Sequence, residues 1–367
     1  MAEVYERWHA TSLDQVIAEM PETQLGNADH NAIRYADLRP VSGEYDPDET
    51  VVMTLPGAKT WSAETYMTSE IMRQILAPNG RMIVFPNNNL GQTNYRYTRD
   101  EARRVAGGDL APLSERQARL VAALGIDSVK LVIGHSFGAA AGATFGRVAS
   151  NTLQIRANAL DEAPNTFIGG RKGLALRLAM IREGKQVIPG IHAVELAAFN
   201  EATHALPGVK EALRYKRALA AYAIGGNLTR ENAASNEFMV DDSLFDDVSG
   251  LLSISPTASV LISNATGFKP DGTPNGASGS TVSSHDESAA FVDALNNEWG
   301  DERAVHLPYE GSHVTAGTPF VLAAIGAKAL AFHDEIEVAG RDIGSLGRAP
   351  QAHKVEDQNN SGRPKLD

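Results

Sequence analysis

Residues 129–142 read Val-Lys-Leu-Val-Ile-Gly-His-Ser-Phe-Gly-Ala-Ala-Ala-Gly, an apolar run that breaks at a Gly-x-Ser-x-Gly pattern and continues into small residues. This order predicts a strand, a sharp turn and a helix. Glycines at both ends of such a turn leave room for the neighbouring strand and helix, and the serine sits on the bend. Ser136 is therefore the candidate nucleophile, near the positive N-terminal end of the following helix.

The segments on both sides of this turn alternate between strand-like and helix-like patterns. Strands are expected over 32–38, 50–55, 81–85, 153–160, 258–265 and 304–308, and helices over 64–76, 114–124, 288–299 and 319–332. The first two strands flank a turn-rich segment, which predicts an antiparallel pair. The capping-box spacing of Ser114 and Gln117 predicts the start of the second helix. The alternation indicates a mostly parallel sheet with helices on both faces and functional groups at the carboxyl ends of its strands.

One long segment interrupts this alternation. Apolar residues recur at helical spacing across residues 165–252, which predicts an inserted helical lid. The lid would divide an α/β core into an N-terminal part, residues 1–164, and a C-terminal part, residues 253–338. The polar residues 339–367 are expected to form a flexible tail, because they cannot bury enough apolar surface to order themselves.

Composition restricts the class of protein. The chain has 367 residues, of which 43% are hydrophobic, so it can bury a large core. Its formal net charge of −12 argues against a nucleic-acid partner. The absence of cysteine excludes disulfides, thiol nucleophiles and cysteine-bound zinc, and it is more typical of an intracellular protein. With no signal-peptide pattern and no long uncharged apolar run, we expect a cytoplasmic protein that does not bind membranes.

A serine hydroxyl needs a base to become a good nucleophile, and histidine is the usual choice because its pKa lies near neutral pH. Ten histidines compete for this role. His313 stands apart because it follows the last strand and precedes the last helix, on a loop at the strand ends. His135 adjoins the serine but is expected to face elsewhere. His313 is therefore the candidate general base.

A carboxylate should hold the histidine in the correct tautomer and stabilise its charged form. Asp271 is the first choice, since it follows the strand at 258–265, although its Pro-Asp-Gly context also suits an ordinary turn. Asp286 is the alternative, although it lies within a capping box that Ser284 would begin. Asp161 or Glu162, at the end of the strand at 153–160, is the third choice.

The reaction also needs hydrogen-bond donors for the negative charge that develops on the substrate oxygen. Backbone N–H groups near the nucleophile supply such donors without rearrangement. Phe137 directly follows the serine, and Ala58 follows a glycine after the strand at 50–55. Both backbone N–H groups are candidate oxyanion-hole donors.

The chain resembles the α/β-hydrolase superfamily from about Ile33 to Phe332. Residues 134–138 are similar to its nucleophile elbow, residues 311–313 to its histidine loop, and residues 55–58 to its oxyanion loop, with Pro56 in place of the frequent histidine. Serine, acid and histidine follow the order of the family. The insertion at 165–252 occupies the position of the family's lid, whereas residues 272–284 expand the loop that carries the acid.

This resemblance implies a serine hydrolase that forms an acyl-enzyme on Ser136, with His313 taking the serine proton and then activating water. It implies no metal and no organic cofactor. The apolar lid residues favour a small, partly apolar acyl substrate such as an ester. Two alternatives stay open: an acyltransferase, since residues 86–94 are similar to a loop of homoserine acetyltransferases, and a non-catalytic binding protein that retains the fold. The sequence does not decide between a monomer and a homodimer.

Overall fold

The computed structural model describes residues 35–40, 44–54, 63–85, 98–163, 244–268, 274–279, 284–300, 302–310 and 319–343. The strands are β1 (Ala36–Leu38), β2 (Thr50–Thr54), β3 (Arg81–Phe85), β4 (Ser128–His135), β5 (Gln154–Asp161), β6 (Ser259–Phe268), β7 (Pro274–Gly279) and β8 (Ala304–Glu310). The helices are α1 (Ala63–Leu76), α2 (Arg99–Ala106), α3 (Ala111–Ala123), α4 (Phe137–Ala149), α5 (Leu244–Ile254), α6 (His285–Trp299) and α7 (Pro319–Ile343). None of these helices is long and apolar enough to cross a bilayer.

The described strands form one sheet in the order β1-β3-β2-β4-β5-β6-β7, and β8 also pairs with β6. Six strands run parallel, while β1 and β7 are antiparallel to their neighbours. The predicted mostly parallel sheet is therefore confirmed. The predicted pairing of the first two strands is wrong, because β1 pairs with β3. Both edges of β2 are taken by β3 and β4, as expected for a fully buried apolar strand.

Helices cover both faces of the sheet. On one face, α3, α4, α5 and α6 pack apolar side chains such as Val121, Phe145 and Phe291 against the strands. On the other face, α1 and α7 contribute Met72 and Leu322. This burial is the main apolar contribution to stability and confirms the predicted three-layer α/β architecture.

Two helix starts show how local chemistry sets boundaries. The predicted start of α3 at Ser114 is wrong, since the helix begins at Ala111 and Ser114 is buried inside it. Pro112 suits the first turn, and the Asp109 carboxylate accepts a hydrogen bond from the Ala111 N–H at 2.9 Å. By contrast, the Ser284 hydroxyl caps α6 as its spacing predicts, accepting from the N–H three residues on.

The described helices also shift two predicted boundaries. The predicted lid includes residues 244–252, but these residues belong to α5, which buries Leu244, Val248 and Leu251 against the core. Asp247 on this helix binds side chains of α4. The final helix continues beyond Phe332 to Ile343, five residues into the predicted tail. The rest of the predicted lid, residues 165–243, and of the predicted tail, 344–367, lies outside the described residues.

Candidate functional site

Ser136 occupies the sharp junction between β4 and α4. Its backbone angles are φ 56° and ψ −130°, a conformation that side chains rarely adopt and that costs on the order of 1–3 kcal/mol. The residues on both sides of it are buried, whereas Ser136 itself is partly exposed. The turn therefore presents a serine at the carboxyl edge of the sheet, where the sequence predicts the nucleophile.

Close packing on the β2 side holds this turn in place. A side chain at Gly134 would lie 2.1 Å from the carbonyl oxygen of Gly138 and 2.5 Å from Thr54 Oγ1, so only glycine fits there. The Thr54 hydroxyl donates to that Gly138 carbonyl at 2.6 Å. Thr54 thus joins the end of β2 to the first turn of α4.

A buried polar cluster holds the turn on the β5 side. The Ser136 N–H donates to the backbone oxygen of Asp161 at 2.9 Å, and His135 Nδ1 lies 2.8 Å from Asp161 Oδ2. The other carboxylate oxygen, Oδ1, accepts from the hydroxyls of Ser263 at 2.8 Å and Tyr309 at 2.9 Å. The Asp161 carboxylate therefore has three side-chain partners, on β4, β6 and β8.

This environment affects the ionisation of the cluster. Burial raises the pKa of the Asp161 carboxyl, against the opposing effect of His135, and the neighbouring Glu162 charge raises it further. Burial also raises the pKa of the Tyr309 hydroxyl well above its usual range, and the charges of Asp161 and Glu162 add to this rise. Tyr309 therefore remains a protonated donor.

Glu162 follows β5 directly and shares the unusual backbone of Ser136. Its φ is 51°, and among the described residues only Ser136 and Glu162 combine a side chain with a positive φ. The two residues follow neighbouring strands whose last residues, His135 and Asp161, are register partners. The Glu162 side chain is fully buried, and its Oε1 accepts a hydrogen bond from the Ala265 N–H. Two strained residues thus lie side by side at one edge of the sheet.

Of the other predicted site residues, the structure describes two, Phe137 and Asp286. Phe137 is the first residue of α4, so its backbone N–H belongs to the N-terminal turn of that helix. Asp286 is exposed in the first turn of α6, beyond the cap at Ser284. Three residues lie outside the described part of the chain: Ala58, Asp271 and His313.

Sequence reasoning missed Ser263 and Tyr309 and gave Asp161 only a third place. A usable signal was present, because Asp161 and Ser263 directly follow the apolar residues 159–160 and 260–262 of their strands, and both are buried. Such residues need partners when buried. Within the residues that the structure describes, no group of three or more His, Asp or Glu side chains could hold a metal ion.

No protein-family model matches the sequence, and no curated protein matches it significantly. Solved structures do resemble it. MGS-M2, an α/β hydrolase enzyme from a Medee basin deep-sea metagenome library, matches with a TM-score of 0.52 and 11% identity over 82% of this chain and 94% of that one. A proline iminopeptidase from Mycobacterium smegmatis matches with a TM-score of 0.48 and 13% identity over 86% of this chain and 100% of that one. At such identities the similarity concerns the fold alone.

Proposed function

Starting from the α/β-hydrolase fold of this chain, we propose that it is a serine hydrolase that cleaves an ester or a similar small acyl compound. The observation that carries this proposal is the strained, partly exposed Ser136 between β4 and α4. Such strain persists only where the surroundings enforce it, and it concentrates at functional sites. Contacts from Thr54 and Asp161 on the two neighbouring strands supply this enforcement.

The proposed reaction has two steps. His313 takes the hydroxyl proton of Ser136 as the serine oxygen bonds to the acyl carbon, and the leaving alcohol departs with that proton. Water then gives a proton to His313 and attacks the acyl-enzyme, which releases the acid and returns the proton to the serine. The backbone N–H groups of Phe137 and Ala58 would stabilise the oxyanion in both steps.

We assign the carboxylate of the triad to Glu162. Its backbone lies next to Ser136 at the sheet edge, and its carboxylate reaches Ala265 on β6. Ala265 is the register partner of Tyr309 on β8, four residues before His313. The Glu162 carboxylate therefore lies between the nucleophile and the strand that leads to the proposed base. Asp161 ends β5 one residue earlier, and its carboxylate instead binds His135, Ser263 and Tyr309.

The geometry gives less support to the two acids that the sequence favours. Asp271 lies beyond the end of β6. In that strand Ser263 is the register partner of Asp161, and the strand continues for five more residues to Phe268. This extension carries the strand about 16 Å past the level of His135, the residue before the nucleophile. Asp286 is exposed on α6, and this helix packs against β8 and β6 rather than β4. A carboxylate that orients a catalytic histidine is usually buried.

Covalent labelling tests the nucleophile and the base. The purified protein should react with a fluorophosphonate probe and hydrolyse p-nitrophenyl acetate, whereas Ser136→Ala and His313→Ala should lose about 10³-fold or more in rate. A folded wild-type protein that is inert to both reagents would show that the proposed function is wrong. Product formation that accelerates when an alcohol acceptor is added would indicate acyl transfer instead.

Three matched variants test the acid: Glu162→Gln, Asp271→Asn and Asp286→Asn. We expect the glutamate variant to lose about 10²- to 10⁴-fold in kcat, because its amide no longer stabilises the charged histidine. The two aspartate variants should keep most of the activity. If Asp271→Asn or Asp286→Asn collapses while Glu162→Gln does not, the acid assignment is wrong but the nucleophile assignment stands.

A further inference from the structure

The bond between His135 and Asp161 has no part in the chemistry proposed above, yet it lies directly beside it. His135 precedes the proposed nucleophile on β4. Tyr309, which binds the same carboxylate, lies on β8 four residues before the proposed base, His313. One buried carboxylate therefore contacts both strands that deliver the reacting groups.

No backbone pairing joins these two strands. β5 and β6 lie between β4 and β8, which places the strands three spacings, about 14 Å, apart. The hydrogen bonds of Asp161 cross this distance through His135 on one side and Tyr309 on the other, at 2.8 and 2.9 Å. His135 and Asp161 are buried and Tyr309 is half-buried, so these bonds are largely shielded from bulk water.

We propose that Asp161 is a positioning residue that sets the end of β8 relative to the Ser136 turn, and that Tyr309 is the contact through which it does so. The proposal rests on the proposed function. A loop that follows β8 can deliver His313 to the serine only if the end of the strand is held in place. A misplacement of about 1 Å in such a site can reduce the rate by about 10²-fold.

Two residues of the cluster allow a controlled comparison, because they bind the same oxygen of Asp161. Ser263 and Tyr309 both donate a hydroxyl to Asp161 Oδ1. Ser263 lies on β6, whose backbone is already paired with β5 at this position. Its hydroxyl therefore contributes little to fixing β6 relative to β5. Tyr309 lies one strand further away and has no backbone bond to β5. Tyr309→Phe and Ser263→Ala therefore each remove one donor from the same oxygen, but only the first removes a side-chain contact between β5 and β8, which is otherwise held through its pairing with β6.

The experiment measures the rate of fluorophosphonate labelling, and kcat and KM for p-nitrophenyl acetate, in the full-length wild type and both variants. We expect Tyr309→Phe to lower kcat and the labelling rate about 10- to 100-fold with little change in KM, and Ser263→Ala to stay within about threefold of wild type. Thermal unfolding of both variants accompanies the kinetics. If both variants lose stability equally and neither loses rate, the cluster is merely structural and the proposal is overturned.

A spectroscopic signature reports the bond itself. In protein labelled with ¹⁵N-histidine, we expect His135 Nδ1, which lies beside Asp161, to carry a proton with a strongly downfield resonance. We expect this resonance to persist in His313→Ala, to shift in Tyr309→Phe and to vanish in Asp161→Asn. A Tyr309→Phe protein with an unshifted resonance and wild-type labelling overturns the positioning role alone. A wild type that shows the resonance but does not label overturns the proposed function and the positioning role together.

Discussion

Two buried carboxylates, Asp37 and Asp161, lie at opposite ends of the same sheet and are satisfied in different ways. Asp37 accepts two hydrogen bonds from Arg81, each of 2.7 Å, near the amino end of β3, and a further bond of 2.7 Å from Arg39. Both guanidinium groups also lie over the ring of Tyr45. Among the described residues, the side-chain partners of Asp161, at the carboxyl end of β5, are an imidazole and two hydroxyls.

The ionisation and the backbone of the two regions differ accordingly. Burial alone would raise the pKa of Asp37, but the hydrogen bonds from Arg81 and Arg39 outweigh it and the pKa falls. For Asp161, burial prevails and the pKa rises. The positive-φ residues with side chains adjoin only Asp161 in the described part of the chain. A buried carboxylate thus indicates function more strongly when its partners lack fixed charge and its neighbours are strained.

The largest expected effect is a loss of stability when the Asp37 carboxylate, which pairs with Arg81 and Arg39, is removed. Asp37→Ala would leave the Arg81 guanidinium, whose side chain is 1% exposed, without its charge partner. We expect a loss of about 3–5 kcal/mol in the free energy of unfolding, measured by urea titration. Labelling of Ser136 in the folded fraction should remain at the wild-type rate, because the two regions are at opposite ends of the sheet.

Arg39→Ala is the matched control for this prediction. It removes the other cation from the same carboxylate, but the Arg39 side chain is 39% exposed and its charge can be solvated. We expect a loss of about 1 kcal/mol or less. Equal losses in the two variants would mean that burial of the Arg81 charge is not what makes the pair important.

Local sequence predicts the parts of this molecule that depend on local contacts. The apolar run into Ser136 and the small residues after it predict the strand, turn and helix, because each step is decided within a few residues. The pairing of β1 with β3 could not be predicted in the same way. It depends on which strands occupy the edges of β2, and on an ion pair between Asp37 and Arg81, 44 residues apart.

In the candidate site, too, the residues that depend on local sequence could be predicted, and those that depend on distant contacts could not. Ser136 and Phe137 are recognisable from one short motif. The bond between Asp161 and Tyr309 joins residues 148 positions apart, and Ser263 is 102 positions from the same carboxylate. The role of Glu162 follows from its strained backbone and from the strand register beside it. None of these relations has a period or a spacing that a single sequence displays.

The backbone strain at Ser136, beside Asp161, can be measured by comparing two substitutions of this serine. Ser136→Gly relieves the positive φ, whereas Ser136→Ala removes the same hydroxyl and keeps the strain. We therefore expect the glycine variant to exceed the alanine variant by about 1 kcal/mol in unfolding free energy, after the entropy cost of glycine is included. Both should be inert to the probe.

Ser249 provides the reference for this comparison, because it lies within α5, where the backbone is helical. There the order should reverse, with Ser249→Ala about 1 kcal/mol more stable than Ser249→Gly. If glycine is the less stable replacement at position 136 as well, the turn is not strained in solution, and the backbone of Ser136 does not indicate a functional site.

The last and smallest effect is a difference in the sign of pH dependence between the two carboxylates. The lowered pKa of Asp37 gives stability that is present above the ordinary value of 3.8 and is lost as the pH falls through the folded-state pKa. The raised pKa of Asp161 gives a contribution that is present below 3.8 and is lost as the pH rises through its folded-state pKa. Urea unfolding across an acidic pH series should therefore show two opposite trends. As the pH rises, the unfolding free energy of the wild type should increase relative to that of Asp37→Asn and decrease relative to that of Asp161→Asn. Curves of the same sign would mean that the protein balances the charge of both carboxylates in the same way, and that strain alone distinguishes the two regions.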